Sequence, residues 1–140
     1  MFVVLDTNHF REMAEGTTRA VHFSRRAEKE RAEVFLSSIT VQEASSGWLA
    51  LINSQTADRN QVRSYASFQR TITAFHKFSI LAFDTEAAEI FHKLKSEHPR
   101  TGTMDLKLAA ICMTHEATLL TRNVADFENI TGLRVENWLD

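Results

Sequence analysis

Phe2-Val3-Val4-Leu5-Asp6-Thr7-Asn8 is the stretch on which the fold turns. An apolar run without alternation suits a strand buried on both faces, as in a parallel sheet covered by helices, and Asp6 stands where such a strand ends. Similar runs recur at Val34 to Leu36, Ile80 to Phe83 and Ala117 to Leu120. Between them lie segments of helical character: Arg19 to Glu33, Val41 to Ser54, Asp58 to Phe78, Thr85 to Glu97 and Thr103 to His115. Strand alternating with helix predicts an α/β fold around a central parallel sheet. At 140 residues and 44% hydrophobic content, one domain spanning residues 1–140 is expected.

Helix punctuation supports this division. Asp84 or Thr85 caps the helix that Pro99 and Gly102 end. Thr40 followed by Glu43 has the spacing of a capping box, which gives Glu43 a purely structural reading. The mixed charges from Ser24 to Arg31 read as a solvated helix face. No repeat, low-complexity tract or linker interrupts the chain.

Composition removes several function classes. A formal charge of -2 excludes a uniformly basic nucleic-acid binder, so any such contact must come from a local patch. Cys112 is the only cysteine, which excludes an internal disulfide and a cysteine-built zinc site and suits a buried small hydrophobe. No apolar run approaches ~18 residues and the start lacks a leader pattern, so no membrane association and a cytoplasmic location are expected. The glycines at 16, 47, 102 and 132 are too scattered for a phosphate-binding loop. Asn8 stands where a phosphatase using Asp6 as nucleophile would place a second acid. The six histidines show no i, i+4 pair and read as surface or packing residues, with His9 alone beside Asp6.

The acids form an ordered set. Asp6 ends the first strand, Glu43 opens a helix, Asp105 lies in a first helical turn, and Asn123 with Asp126 follow the strand that ends near Leu120. Ligands in parallel α/β sheets bind beyond the carboxyl ends of strands, so these residues are expected at one sheet edge. Like charges about 4 Å apart repel by about 4 kcal/mol at an effective dielectric near 20. A divalent cation removes that cost. An oxygen-only ligand set favours Mg²⁺, with Mn²⁺ as a substitute, and such an ion suits phosphodiester hydrolysis. Each acid also has a plain alternative: Asp6 as a helix cap, Asp105 as a partner of the helix dipole after Thr103, and Asp126 as the start of a turn.

The neighbours of these acids carry a family resemblance. Leu5-Asp6-Thr7-Asn8, Gly102-Thr103-Met104-Asp105-Leu106-Lys107-Leu108-Ala109-Ala110 and the ending from Leu119 through Thr121-Arg122-Asn123-Val124-Ala125-Asp126-Phe127 to Trp138 resemble a PIN-domain ribonuclease of the VapC toxin type. The resemblance implies a PIN-like fold and a Mg²⁺-dependent endoribonuclease from a type II toxin-antitoxin pair. It implies RNA as substrate, a homodimer, and inhibition by a VapB-like antitoxin. On the matching positions, Asp6 and Asp105 would be the principal metal ligands, Glu43 a further ligand or general base, and Thr121 a supporting polar group. Asn8 would orient Asp6.

One departure stands out. Many PIN domains carry an acid where Asn123 lies, and here the carboxylate comes three residues later, at Asp126. Asn123 can ligate through its carbonyl oxygen but brings no charge. Arg122, beside the motif, is a candidate phosphate contact, as are Arg11 and, less directly, Lys107. Trp48, Leu49, Leu51 and Ile52 serve either as core or as a groove for a partner helix. The rival reading is a catalytically weak RNA-binding or protein-interaction domain of the same fold.

Overall fold

The computed structural model describes residues 1–140 and contains five strands and six α-helices. In chain order these are β1 (Phe2–Leu5), α1 (Thr7–Glu15), α2 (Thr18–Lys29), β2 (Glu33–Ser37), α3 (Ser38–Ser54), α4 (Arg59–Phe75), β3 (Ser79–Leu81), α5 (Thr85–Glu97), α6 (Thr103–Thr114), β4 (Thr118–Leu120) and β5 (Arg134–Glu136). All strand pairs are parallel, and the sheet order is β3-β2-β1-β4-β5. The expected α/β class and central parallel sheet are therefore present.

The apolar run of β1 explains the layering. Side chains alternate across a strand, so Val4 enters one core with the α5 and α6 residues Leu94, Leu106 and Ile111. Val3 and Leu5 enter the opposite core with Phe10 of α1, Phe23 of α2 and Phe75 of α4. Both faces of the central strand are thus covered, and all three β1 residues are wholly buried. No helix is long and apolar enough to cross a membrane.

Several boundaries differ from expectation. A nine-residue helix, α1, follows Asp6 directly, and β5 adds an edge strand from only Arg134, Val135 and Glu136. The start of α3 lies three residues earlier than expected, because Ser37 is its N-cap and accepts the Thr40 N–H at 3.1 Å. Thr40 is helical, and its hydroxyl donates to the Leu5 carbonyl at 2.9 Å. Glu43 therefore lies beyond the first turn and takes no part in a capping box. Asp84 caps α5 through the Ala87 N–H.

The strand order places the site. From β1 the sheet grows one way through β2 and β3 and the other way through β4 and β5, so its topological switch point lies between β1 and β4. A crevice opens beyond the carboxyl ends at such a point. Asp6 follows β1 there, and Thr121 follows β4.

Candidate active site

A cavity of about 240 Å³ occupies that crevice and is lined by Asp6, Asn8, Glu43, Asp105, Thr121 and Asn123, among others. Residues from four separate segments meet here, as the strand-end placement predicts. Asp6 is both cap and cavity residue: its Oδ1 accepts the His9 backbone N–H at 2.8 Å, while the side chain stays at the cavity wall. Asp105 sits in the first turn of α6, whose N-cap is Gly102 rather than Thr103, and no side chain caps that helix. Glu43 projects from α3, which the Thr40 bond to Leu5 ties to the end of β1.

The proximity of the acids shows in their electrostatics. Lost hydration raises the Glu43 pKa above the usual carboxylate range, and the charges of Asp105 and Asp6 raise it further. Burial likewise raises Asp105, followed by the fields of Asp126 and Asp6. Both are half-buried. No three acid, histidine or cysteine side chains stand close enough together to form a ready-made cage for a metal. The donor set nevertheless fits a hydrated hard cation held by one or two carboxylates, because every polar lining side chain offers oxygen and none is histidine or cysteine. The buried Thr7 hydroxyl at the same cavity has no hydrogen-bond partner within the chain, which leaves an unspent donor for a ligand oxygen.

The last motif divides its roles. Asn123 lines the cavity, held by its backbone N–H donating to the buried Thr121 hydroxyl at 3.1 Å. Asp126 ends a single 3-10 turn, Val124–Asp126, is exposed, and does not line the cavity. It stands near enough for its charge to act on Asp105. Arg122 is exposed and bound by both forks of its guanidinium to Asp140, at 3.0 Å each. Its availability to a phosphate therefore requires that pair to part. Lys107 lies over the rings of Phe83 and Phe91, 5.7 Å from each centroid, and is absent from the cavity wall.

Two contacts were not legible beforehand. The side chain that orients Asp6 is His9, with Nδ1 3.1 Å from Asp6 Oδ1, whereas Asn8 makes no hydrogen bond to Asp6. Thr7 borders both this cavity and a second one of about 390 Å³ between α1, α3 and α4. The larger groove is lined by Phe10, Arg11, Trp48, Leu51 and Arg70, among others. Of the apolar α3 residues, Ile52 is buried, while Leu49 and Leu51 are exposed.

Comparison with known proteins follows the same lines. The family model described as PIN domain matches residues 3–133. Ribonuclease VapC1 of Rickettsia felis is 42% identical over 62 residues, 41% of this chain and 46% of that protein. The tRNA(fMet)-specific endonuclease VapC of Salmonella typhimurium is 30% identical over 66 residues, 44% of this chain and 50% of that protein. The chain thus spans about half the length of the curated relatives it matches. The crystal structure of VapBC2 from Rickettsia felis bound to a DNA fragment from their promoter covers 99% of each chain with a TM-score of 0.75 and 20% identity, which shows a shared fold.

Proposed function

Because the chain belongs to the PIN domain family, we propose that it is a Mg²⁺-dependent endoribonuclease, the toxin of a type II toxin-antitoxin pair. The observation that carries this reading is the shared cavity of Asp6, Glu43 and Asp105, in which burial and neighbouring acids raise the pKa values of Glu43 and Asp105. Names borne by the partial relatives, a ribonuclease and an endonuclease, point the same way. Asp6 and Asp105 would hold the ion, with Glu43 as a further ligand or proton acceptor. When bound, Mg²⁺, or Mn²⁺ in its place, supplies positive charge against the phosphate and lowers the pKa of water.

The residues themselves account for the rest of the hydrolysis. Glu43, partly desolvated, is a stronger base than a surface carboxylate and takes the proton of the water that attacks phosphorus. The bond to the leaving ribose oxygen breaks, and that oxygen takes a proton from solvent. Asn123 presents an uncharged amide to the substrate phosphate, held in place by Thr121. Asp126 at the rim adds negative potential that strengthens cation binding at Asp105.

The groove between α1, α3 and α4 suits the helix of a VapB-like antitoxin. Its apolar floor of Phe10, Trp48 and Leu51 would take an amphipathic helix, and Arg11 with Arg70 would favour acidic residues on that partner. Thr7 lines both groove and cavity, so the groove adjoins the acids.

One observation favours a second reading. Asn123 faces the cavity where a carboxylate would add charge, which suits an RNA-binding or interaction domain with weak catalysis. Incubating purified protein with a mixed cellular RNA pool separates the two. The nuclease reading expects Mg²⁺-dependent fragments from wild type and none with EDTA or Asp6→Asn. Intact RNA retained on the protein under all conditions would favour the binding domain.

A further inference from the structure

The geometry points to His9 as a positioning residue that sets the Asp6 carboxylate for cation binding, with its own tautomer dictated by the backbone of Trp138. This inference rests on the reading of Asp6 as a cation ligand. His9 lies in the first turn of α1, is 0% exposed, and packs edge-on against Phe23. Its Nε2 faces the Trp138 backbone N–H at 3.3 Å. A ring nitrogen that accepts a hydrogen bond carries no proton, so the proton of the neutral imidazole sits on Nδ1. Nδ1 therefore donates to Asp6 Oδ1, at 3.1 Å, and the contact is a hydrogen bond from an uncharged ring to a carboxylate.

The His9 backbone N–H reaches the same Asp6 oxygen at 2.8 Å. With two donors on Oδ1, Asp6 Oδ2 is left without a partner from the chain, on a side chain that lines the acid cavity. Residue 138 is fixed in turn, because the Trp138 ring is buried against Phe23 with the Arg26 guanidinium 4.8 Å above it. A chain of contacts thus runs from Trp138 to His9, 129 residues apart in sequence, and on to Asp6. An ordinary packing histidine would need only ring volume. Here both nitrogens are committed, and their order is determined by a backbone N–H that cannot reverse its polarity.

Two measurements on the full chain test this. Long-range ¹⁵N–¹H correlation spectra of wild type should show His9 protonated at Nδ1 and bare at Nε2; a proton on Nε2 would overturn the assignment. Calorimetric titration with Mn²⁺ alone should then rank the variants. His9→Phe keeps ring volume without the donor and is expected to bind Mn²⁺ about tenfold more weakly, the usual loss when a partner of a ligand is removed. His9→Asn, whose amide N–H reaches toward Asp6, should recover most of that affinity. Undiminished Mn²⁺ binding by His9→Phe, with binding lost in Asp6→Asn, would reject the positioning role and leave the cation site intact. No binding by wild type, or equal binding by Asp6→Asn, would reject the cation site itself. If His9→Phe fails to fold, His9→Asn and His9→Gln decide: the role predicts tighter Mn²⁺ binding with Asn, whose amide nitrogen replaces Nδ1, than with Gln, whose amide nitrogen replaces Nε2, and equal binding by the two overturns it.

Discussion

Glu43 and Asp105 hold their protons more tightly in the folded protein than in the unfolded chain, first through lost hydration and then through neighbouring acids. The sign for stability follows from linkage. Their contribution to metal-free stability is fully present below the ordinary carboxylate range and is lost as pH rises through their raised folded values. Asp58 and Asp140 act in the opposite sense: their pKa values are lowered, by Thr56 and by Asn137 first, so their contribution is lost as pH falls. Both are surface groups and carry less weight. Glu43→Gln should accordingly raise the melting temperature of EDTA-treated protein at neutral pH by about 2 °C, discounted for solvent screening. Mg²⁺ should then stabilise wild type more than this variant, and scanning calorimetry with and without the ion reads both effects. On activity, Asp105→Asn is expected to lower RNA cleavage about 100-fold. Asp126→Asn, acting from the rim, should cost less than about tenfold by the same electrostatic logic. Equal losses in a single-turnover assay would make Asp126 a full ligand. At this scale the acids were legible because strand ends and helix starts mark a sheet edge. His9 was not, because its partner Trp138 is remote in sequence and a lone histidine has no periodic signature.

Among the elements, the junction of β1 and α3 governs how Asp6 meets Glu43. The Thr40 hydroxyl bonds the Leu5 carbonyl in a fully buried setting, and Ser37, also fully buried, caps the helix. Thr40→Val keeps the shape and removes that bond, so a loss of about 1–3 kcal/mol is expected. Urea unfolding should show it as a lower midpoint with an unchanged slope. The same junction explains why the start of α3 was misjudged. Ser37-Ser38-Ile39-Thr40 offers three hydroxyl caps in succession, and only the tertiary bond to Leu5 selects Ser37 by drawing Thr40 inside the helix. Helix α1 was legible only as the short helix that Asp6 would cap, without bounds, because nine residues with three apolar ones, Phe10, Met13 and Ala14, give a brief signal. Strand β5 escaped because three residues with one central apolar side chain show no period, and its place comes from pairing with β4. By contrast α5 matched its expected bounds, since Asp84 caps it and the chain turns off before Pro99.

For the whole molecule, the reversal of strand order beside β1 turns four separated segments into one acid cavity and sets a groove against it. Val62, Tyr65 and Ile72 form an exposed stripe on α4, at 68%, 55% and 40%, which the homodimer implied by the family resemblance would bury. Val62→Lys with Tyr65→Lys should leave the fold intact and yield monomers in sedimentation velocity. A dimer that persists would put the interface elsewhere. All of this turns on whether the acid cavity binds a divalent cation to cut RNA. The most direct test is the cleavage rate of a mixed cellular RNA pool, followed for wild type and Asp105→Asn from EDTA up to saturating Mg²⁺. The wild-type rate should rise from nothing with Mg²⁺, and the variant rate should stay about 100-fold lower throughout. Cleavage that ignores Mg²⁺, or equal rates for the two proteins, would contradict this.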